Sequence, residues 1–272
     1  DLHPEMLVNR HINKPVATLI SDGYDIFDVL RSCTLNPVLH YGLDAGLLRP
    51  GDRADITVVN DLREMDVIET WIEGIKVFDR GKTLFTYEGS GAVNKFHSSV
   101  VNISQITVPC KGAGLKVIEA FDGELITKQI MTDTGNKKYI ISDTDRDILK
   151  IVVKDRYNDG LPATALIKGF GLKRGAFASS VAHDSHNIIC IGSNDEEIVA
   201  AINEVIKMKG GLAVVSEGKS LKLGLPVGGI MSDETVEIVA GQYLRLSGKV
   251  KSLGCKMSAP FMTLSFMALL VI

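Results

Sequence analysis

The apolar residues of this chain change their period near Gly46, and that change limits what the chain can fold into. Before it, Ile26, Phe27, Leu30 and Cys33 recur at helical spacing. Asn36-Pro37 then predicts a new helix start, with Asn36 as N-cap, Pro37 in first position and Gly42 closing it. After it, Pro50-Gly51-Asp52 marks a turn before the strand-like Ala54–Val59. A strand over Val67–Ile72 follows, then a hairpin-like turn at Glu73-Gly74 and a strand over Ile75–Phe78. One continuous helical or strand-only domain does not accommodate such a switch. Residues 1–43 read as helical, 44–90 as a small β-segment, and 91–114, rich in Gly, Ser and Asn, as a linker or extended crossing segment.

Residues 115–272 alternate strands and helices. Strands are predicted over Leu115–Ala120, Ile148–Val153, Thr164–Lys168, Ile188–Gly192 and Leu212–Ser216. Asn194, with Glu197 three residues later, forms a capping-box pattern. The helix it opens has the apolar face Ile198, Ala201, Ile202, Val205 and Ile206, and Gly210-Gly211 stops it. A second helix is expected from about Ser232 to Lys251. The fold class is therefore α/β and β multidomain, with a C-terminal α/β (α+β) domain.

Composition removes several functions. The 272 residues are 45% hydrophobic, enough for a packed core, and the net charge of −3 supplies no basic field for nucleic acid. Cys33, Cys110, Cys190 and Cys255 are far apart, which argues against a thiolate zinc site or a secreted disulfide framework and favours a reducing cytoplasm. No apolar run is long enough to span a membrane. Asp1-Leu2-His3-Pro4-Glu5 resembles neither a signal peptide nor a natural start, and Phe266–Ile272 stops inside an apolar run. Both ends read as cuts, so a fragment is expected.

Chemistry concentrates in Ala178–Asn187. Small residues lead into His183, Asp184, Ser185, His186 and Asn187, directly before the apolar Ile188–Ile191. Imidazole, carboxylate, hydroxyl and amide groups set between two strands can bind a polar ligand, hold a metal or move protons, or can simply satisfy backbone groups at a tight connection. The candidate catalytic residues are His183, Asp184 and His186, with Ser185 and Asn187 as candidate substrate-binding residues. Gly169-Phe170-Gly171-Leu172-Lys173-Arg174-Gly175 has the wrong spacing for a phosphate loop and reads as a turn presenting Lys173 and Arg174. Asp143, Asp145 and Asp147 lack the glycine and closing glutamate of an EF-hand and read as a solvated loop.

Two groups of motifs carry a family resemblance. Thr34-Leu35-Asn36-Pro37, Gly42-Leu43 and Gly46-Leu47-Leu48-Arg49-Pro50-Gly51-Asp52-Arg53-Ala54-Asp55-Ile56 resemble the exit from an amidohydrolase barrel into its small β-domain. Three further stretches resemble the C-terminal domain of the bacterial adenine deaminases. They are Lys168 through Asn187; Gly210-Gly211-Leu212 with Leu225-Pro226-Val227-Gly228-Gly229-Ile230-Met231-Ser232; and Leu253-Gly254-Cys255 with Pro260–Phe266. The resemblance implies the end of a (β/α)8 barrel over 1–43, part of a small β-sandwich over 44–90, and the deaminase C-terminal domain over 115–272. It also implies hydrolysis of adenine to hypoxanthine and ammonia at a divalent metal centre, manganese or iron, bound mainly by barrel residues outside this sequence. Asp1-Leu2-His3-Pro4 resembles the segment ending barrel strand eight, which makes Asp1 the candidate metal ligand here. The expected partners are a purine and, through self-association, a homodimer or higher homo-oligomer, with neither nucleic acid nor membrane. A fragment of this extent is expected to be inactive alone. Two other readings remain open: another amidohydrolase-superfamily deaminase, and a non-catalytic assembly or binding module over 115–272.

Overall fold

The computed structural model describes residues 3–86, 91, 93–110, 114–133, 135 and 137–269. The chain divides into two compact units, Asp1–Ser90 and Gly91–Ile272.

The first unit opens with four helices, α1 (Pro4–Leu7), α2 (Asn13–Ser21), α3 (Ile26–Cys33) and α4 (Leu35–Tyr41). They lead into an antiparallel meander of β1 (Ile56–Val59), β2 (Val67–Ile72), β3 (Ile75–Asp79) and β4 (Lys82–Thr83). Asp25 caps α3 by accepting from the Phe27 and Asp28 amides. The inward face of α3 centres on Val29, with Leu30 and Cys33 beside it against Val16 and Met65. Phe27, expected on that face, is 69% exposed, because one residue beyond Ile26 lies about 100° round the helix. Helix α4 starts at Leu35 with Thr34 in the cap position rather than Asn36. Pro37 is therefore the third helical residue, where its missing amide still falls among the unpaired first-turn donors. Gly42 ends α4 at φ 62°, as expected.

The turn leading into β1 is held by two carboxylates. Asp55 accepts from the Gly46 amide at 3.1 Å and the Glu73 amide at 2.9 Å, and Asp52 accepts from the Leu47 and Arg49 amides. A side chain on Gly46 would meet the Arg53 carbonyl oxygen at 1.9 Å, so only glycine fits there. The Glu73-Gly74 hairpin has both residues at positive φ, the geometry that suits a right-twisted two-residue turn.

The second unit is an eight-stranded mixed sheet. After α5 (Ile103–Ile106) come β5 (Gly114–Glu119), β6 (Lys128–Asp133), β7 (Ile148–Lys154), β8 (Ala163–Lys168), β9 (Ala176–Ser179) and β10 (Ile188–Gly192). Then follow α6 (Asp195–Met208), β11 (Gly211–Ser216), β12 (Lys219–Gly224), α7 (Val236–Ser252) and α8 (Pro260–Phe266). The strand order is β12-β11-β9-β10-β7-β8-β5-β6, antiparallel except where β5 meets β8.

Alternation along the central strands sends apolar side chains to both faces. Leu149, Ile151, Phe177, Ile189, Ile191, Leu212 and Val214 join Tyr243 and Leu246 of α7 and Phe261 and Leu264 of α8 in one core. Val152, Ala176, Ala178, Ile188, Cys190, Ala213 and Val215 face Ile198, Ala201, Ile202 and Val205 of α6 in the other. Val101 and Ile106, in the glycine- and serine-rich stretch, are buried in that second core. Residues on the α6 side are small in β9 because the helix lies close. A side chain on Gly192 would meet Ala176 and Ile198 atoms at 2.6 Å.

Candidate functional site

The loop 180–187 joins β9 to β10 at one end of the sheet, where it meets the residues that follow β7, precede β11 and follow β12. It is anchored from three sides. The His183 amide donates to the Ser265 carbonyl of α8 at 3.0 Å, and the His186 amide donates to the Ala182 carbonyl at 2.6 Å. The Arg156 amide donates to Asn187 Oδ1 at 3.3 Å. Behind the loop, buried Ser180 donates through Oγ to the Gly229 carbonyl at 2.6 Å and accepts from the Gly211 amide at 2.7 Å.

The predicted residues are thus brought together, but in different settings. The His183 and His186 rings lie 6.4 Å apart, and His183 also packs 5.2 Å from the Phe266 ring. Asp184 is 85% exposed, with Oδ1 3.1 Å from Nδ1 of His183, and exposed Ser185 accepts through Oγ from the Asn187 amide at 3.5 Å. His186 is half-buried at φ 51°, and its Nδ1 is buried without a hydrogen-bond partner. Burial holds its pKa below the ordinary imidazole value. The charges of Arg156 and His183 push the same way and Asp184 opposes them. A half-buried imidazole beside an amide and a serine hydroxyl can recognise the edge of a polar heterocycle or carry a proton.

Sequence reasoning missed the residue that braces this loop. Arg156 is only 3% exposed, and among the described residues no carboxylate pairs with it. Its Nη1 donates to the Gly228 carbonyl at 2.8 Å and Nη2 to the Tyr157 hydroxyl at 2.7 Å. The guanidinium lies over the rings of Tyr157 and Phe96, at 4.7 and 5.7 Å from their centroids. The available signal was the Gly228-Gly229 pair. A side chain on Gly229 would stand 1.8 Å from Nη1, so the glycine exists to admit the arginine.

Other sequence candidates resolve into scaffolding. The Gly169 and Gly171 amides, which resemble a phosphate cradle, donate to the two carboxylate oxygens of Asp147 at 3.0 and 2.7 Å. The anion in that nest is a side chain of the same chain. Asp143 is occupied by Lys137 and Arg146, so it and Asp147 do not converge on a cation. Among the described residues no three His, Cys, Asp or Glu side chains gather as a metal site would require. These residues therefore do not by themselves fit a metal, and Asp1 lies outside the described residues.

Comparisons with known proteins bear on the whole chain. The adenine deaminase C-terminal domain profile matches residues 124–272, and the amidohydrolase family profile matches 3–77. The chain is 46% identical to an adenine deaminase of Salinibacter ruber, 44% to one of Parabacteroides distasonis and 42% to one of Methanosarcina barkeri. Each alignment covers 100% of this chain but only 50%, 50% and 51% of the relative, so the chain spans about half the length of the curated relatives it matches. With a C-terminal domain matched over more than half its residues and named relatives along all of it, the chain belongs to the adenine deaminase family.

Proposed function

We propose that this chain is the C-terminal half of an adenine deaminase, which hydrolyses adenine to hypoxanthine and ammonia. The observation that carries the reading is 46% identity to an adenine deaminase along the full chain. In the proposed layout, 1–43 ends a (β/α)8 barrel and 44–90 completes part of a small β-sandwich. Residues 91–114, expected as a linker, lead into the deaminase C-terminal domain at 115–272 and pack Val101 and Ile106 into its core. The helices up to Tyr41, the meander from Ile56 and the break between Ser90 and Gly91 support that division.

The loop 183–187 is proposed to face the bound purine. Adenine is planar, with ring-nitrogen acceptors and an amine donor at C6. The His186 imidazole and Asn187 amide can supply complementary donors and acceptors, and His183 or Asp184 can move a proton as water adds and ammonia leaves. The ends of five strands and α8 hold the loop, which suits a group that must be positioned. The metal of the reading, manganese or iron, would be held mainly outside this chain, and no step here runs through it. A cytoplasmic homodimer or higher homo-oligomer completes the proposal. The four free cysteines support the compartment, and no helix among the described residues is long and apolar enough to cross a membrane.

The test is ammonia release by the full-length protein with adenine, and guanine as control. Release from adenine alone is expected, with none from a verified 272-residue preparation. Release from guanine but not adenine would overturn the substrate, and turnover by the isolated chain would overturn the assignment of the chemistry to both halves.

A further inference from the structure

Strands β7 and β10 pair antiparallel with Lys154 opposite Ile188. Continuing that register by two residues sets Arg156 opposite His186, and the Arg156 amide bond to Asn187 holds the two segments together at that point. Arg156 is buried, lacks a carboxylate partner among the described residues, and leaves Nε without an acceptor. Across from it, His186 Nδ1 is also buried and unpaired. A buried cation is costly unless compensated, and here hydrogen bonds to a carbonyl and a phenol and two aromatic faces replace the usual acid. The pocket for it is built by glycine at 229, with Gly210 packed so closely on Gly229 that a side chain there would stand 2.4 Å from its Cα. A purely structural brace would be served equally well by an Arg–carboxylate pair, which would place no net charge beside the imidazole.

We propose that Arg156 is a positioning residue for His186: it seats the loop through Asn187, and its charge, paired with no acid among the described residues, adds to burial in favouring the neutral, acceptor-bearing imidazole. This rests on the reading that loop 183–187 faces the purine. The groups that act on His186 are Arg156 from the end of β7 and His183 and Asp184 from its own loop. The side chain that α8 sets against His183 is uncharged Phe266, and the 228–229 turn offers Arg156 only backbone. Arg156 is thus the one permanent cation in the set. A neutral His186 can accept from the adenine amine, whereas an imidazolium would only donate and would repel any proton arriving at the reacting ring.

The experiment uses the full-length enzyme with Arg156→Gln and Arg156→Lys, measuring the His186 imidazole titration by NMR, kcat/KM for adenine against pH, and the melting temperature. The His186 resonance is assigned by its loss in His186→Asn. Gln retains a donor for the Gly228 carbonyl but drops the charge, so the His186 midpoint and the acid limb of kcat/KM should both move to higher pH. Lys retains the charge, so both should stay near their original positions. An unmoved His186 midpoint in Arg156→Gln, or equal shifts in both variants that follow their melting temperatures, would overturn the proposal. A moved midpoint with an unmoved rate profile would support the Arg156–His186 coupling and instead overturn the purine-facing reading.

Discussion

Lys150 gives the sharpest test of the core. Its side chain is 0% exposed, and Nζ contacts both Asp195 oxygens, at 2.6 and 2.8 Å, and donates to the Ile106 carbonyl at 3.1 Å. The lysine comes from the centre of β7 and the aspartate from the first turn of α6, so this contact ties sheet, helix and the 101–106 segment together. Removing the acid strands a fully desolvated ammonium, so Asp195→Ala should cost about 3–5 kcal/mol, including a few tenths for losing a carboxylate at a helix start. Lys150→Met fills the same channel and leaves a carboxylate that still reaches water at 17% exposure and still sits at a helix N-terminus. It should cost about 2 kcal/mol, mostly the orphaned Ile106 carbonyl and the lost charged hydrogen bonds. The double variant should fall short of the summed single costs by about 2 kcal/mol, because no charge is then left unpaired. The surface pair Arg174–Glu217, at 3.6 Å, is the control, and breaking it should change stability by less than about 0.5 kcal/mol. Urea unfolding followed by far-UV circular dichroism is the assay. The only tryptophan, Trp71, belongs to the first unit, so far-UV ellipticity rather than its fluorescence follows the variants. Single costs below about 1 kcal/mol, or additive costs in the double variant, would refute the claim that Lys150 is desolvated and held by Asp195.

Two further outcomes follow from the same geometry. Gly229→Ala forces a methyl to within 1.8 Å of Arg156 Nη1 at φ 73° and should cost roughly 2–4 kcal/mol, whereas Gly218→Ala, at φ 72° in open space, should cost about 1 kcal/mol; thermal unfolding compares them. Asp159 has its pKa lowered by Lys154 first and then by the Ser99 amide and hydroxyl. It therefore stabilises the fold above its unfolded pKa of about 4, and that contribution is lost as pH falls from there; Asp159→Asn should flatten this part of the stability–pH curve.

The sequence made α6 legible to its buried residues, because the Asn194 cap on the Glu197 amide, a 3.6-residue apolar period and a left-handed terminus at Lys209 before Gly210 all agree. The central strands β7, β10 and β11 were legible for a similar reason, as apolar runs between turn residues. Strand β9 was not. Ala176, Ala178 and Ser179 carry little strand propensity, and their small size answers the close approach of α6, a tertiary demand with no local signature. The edge strand β6 was obscured by its polar alternate residues, and the exposure of Phe27 by its neighbour Ile26 on the inward face. Within the site, the residues of 183–187 were legible as chemistry, but not their ranking. That depends on Arg156, which is distant in sequence and becomes a neighbour only through the β7–β10 register. Gly228-Gly229 carried family information without revealing which side chain it makes room for.

The central claim is that the 183–187 loop serves the reaction rather than only the fold. It is tested most directly by kcat/KM for adenine in the full-length His186→Ala and His183→Asn enzymes, with metal content and melting temperature measured alongside. We predict a fall in kcat/KM with metal content and melting temperature unchanged, larger for His186 because it stands half-buried at the position the strand register sets opposite Arg156. Unchanged kinetics in both variants, or a rate loss that simply tracks unfolding, would contradict it.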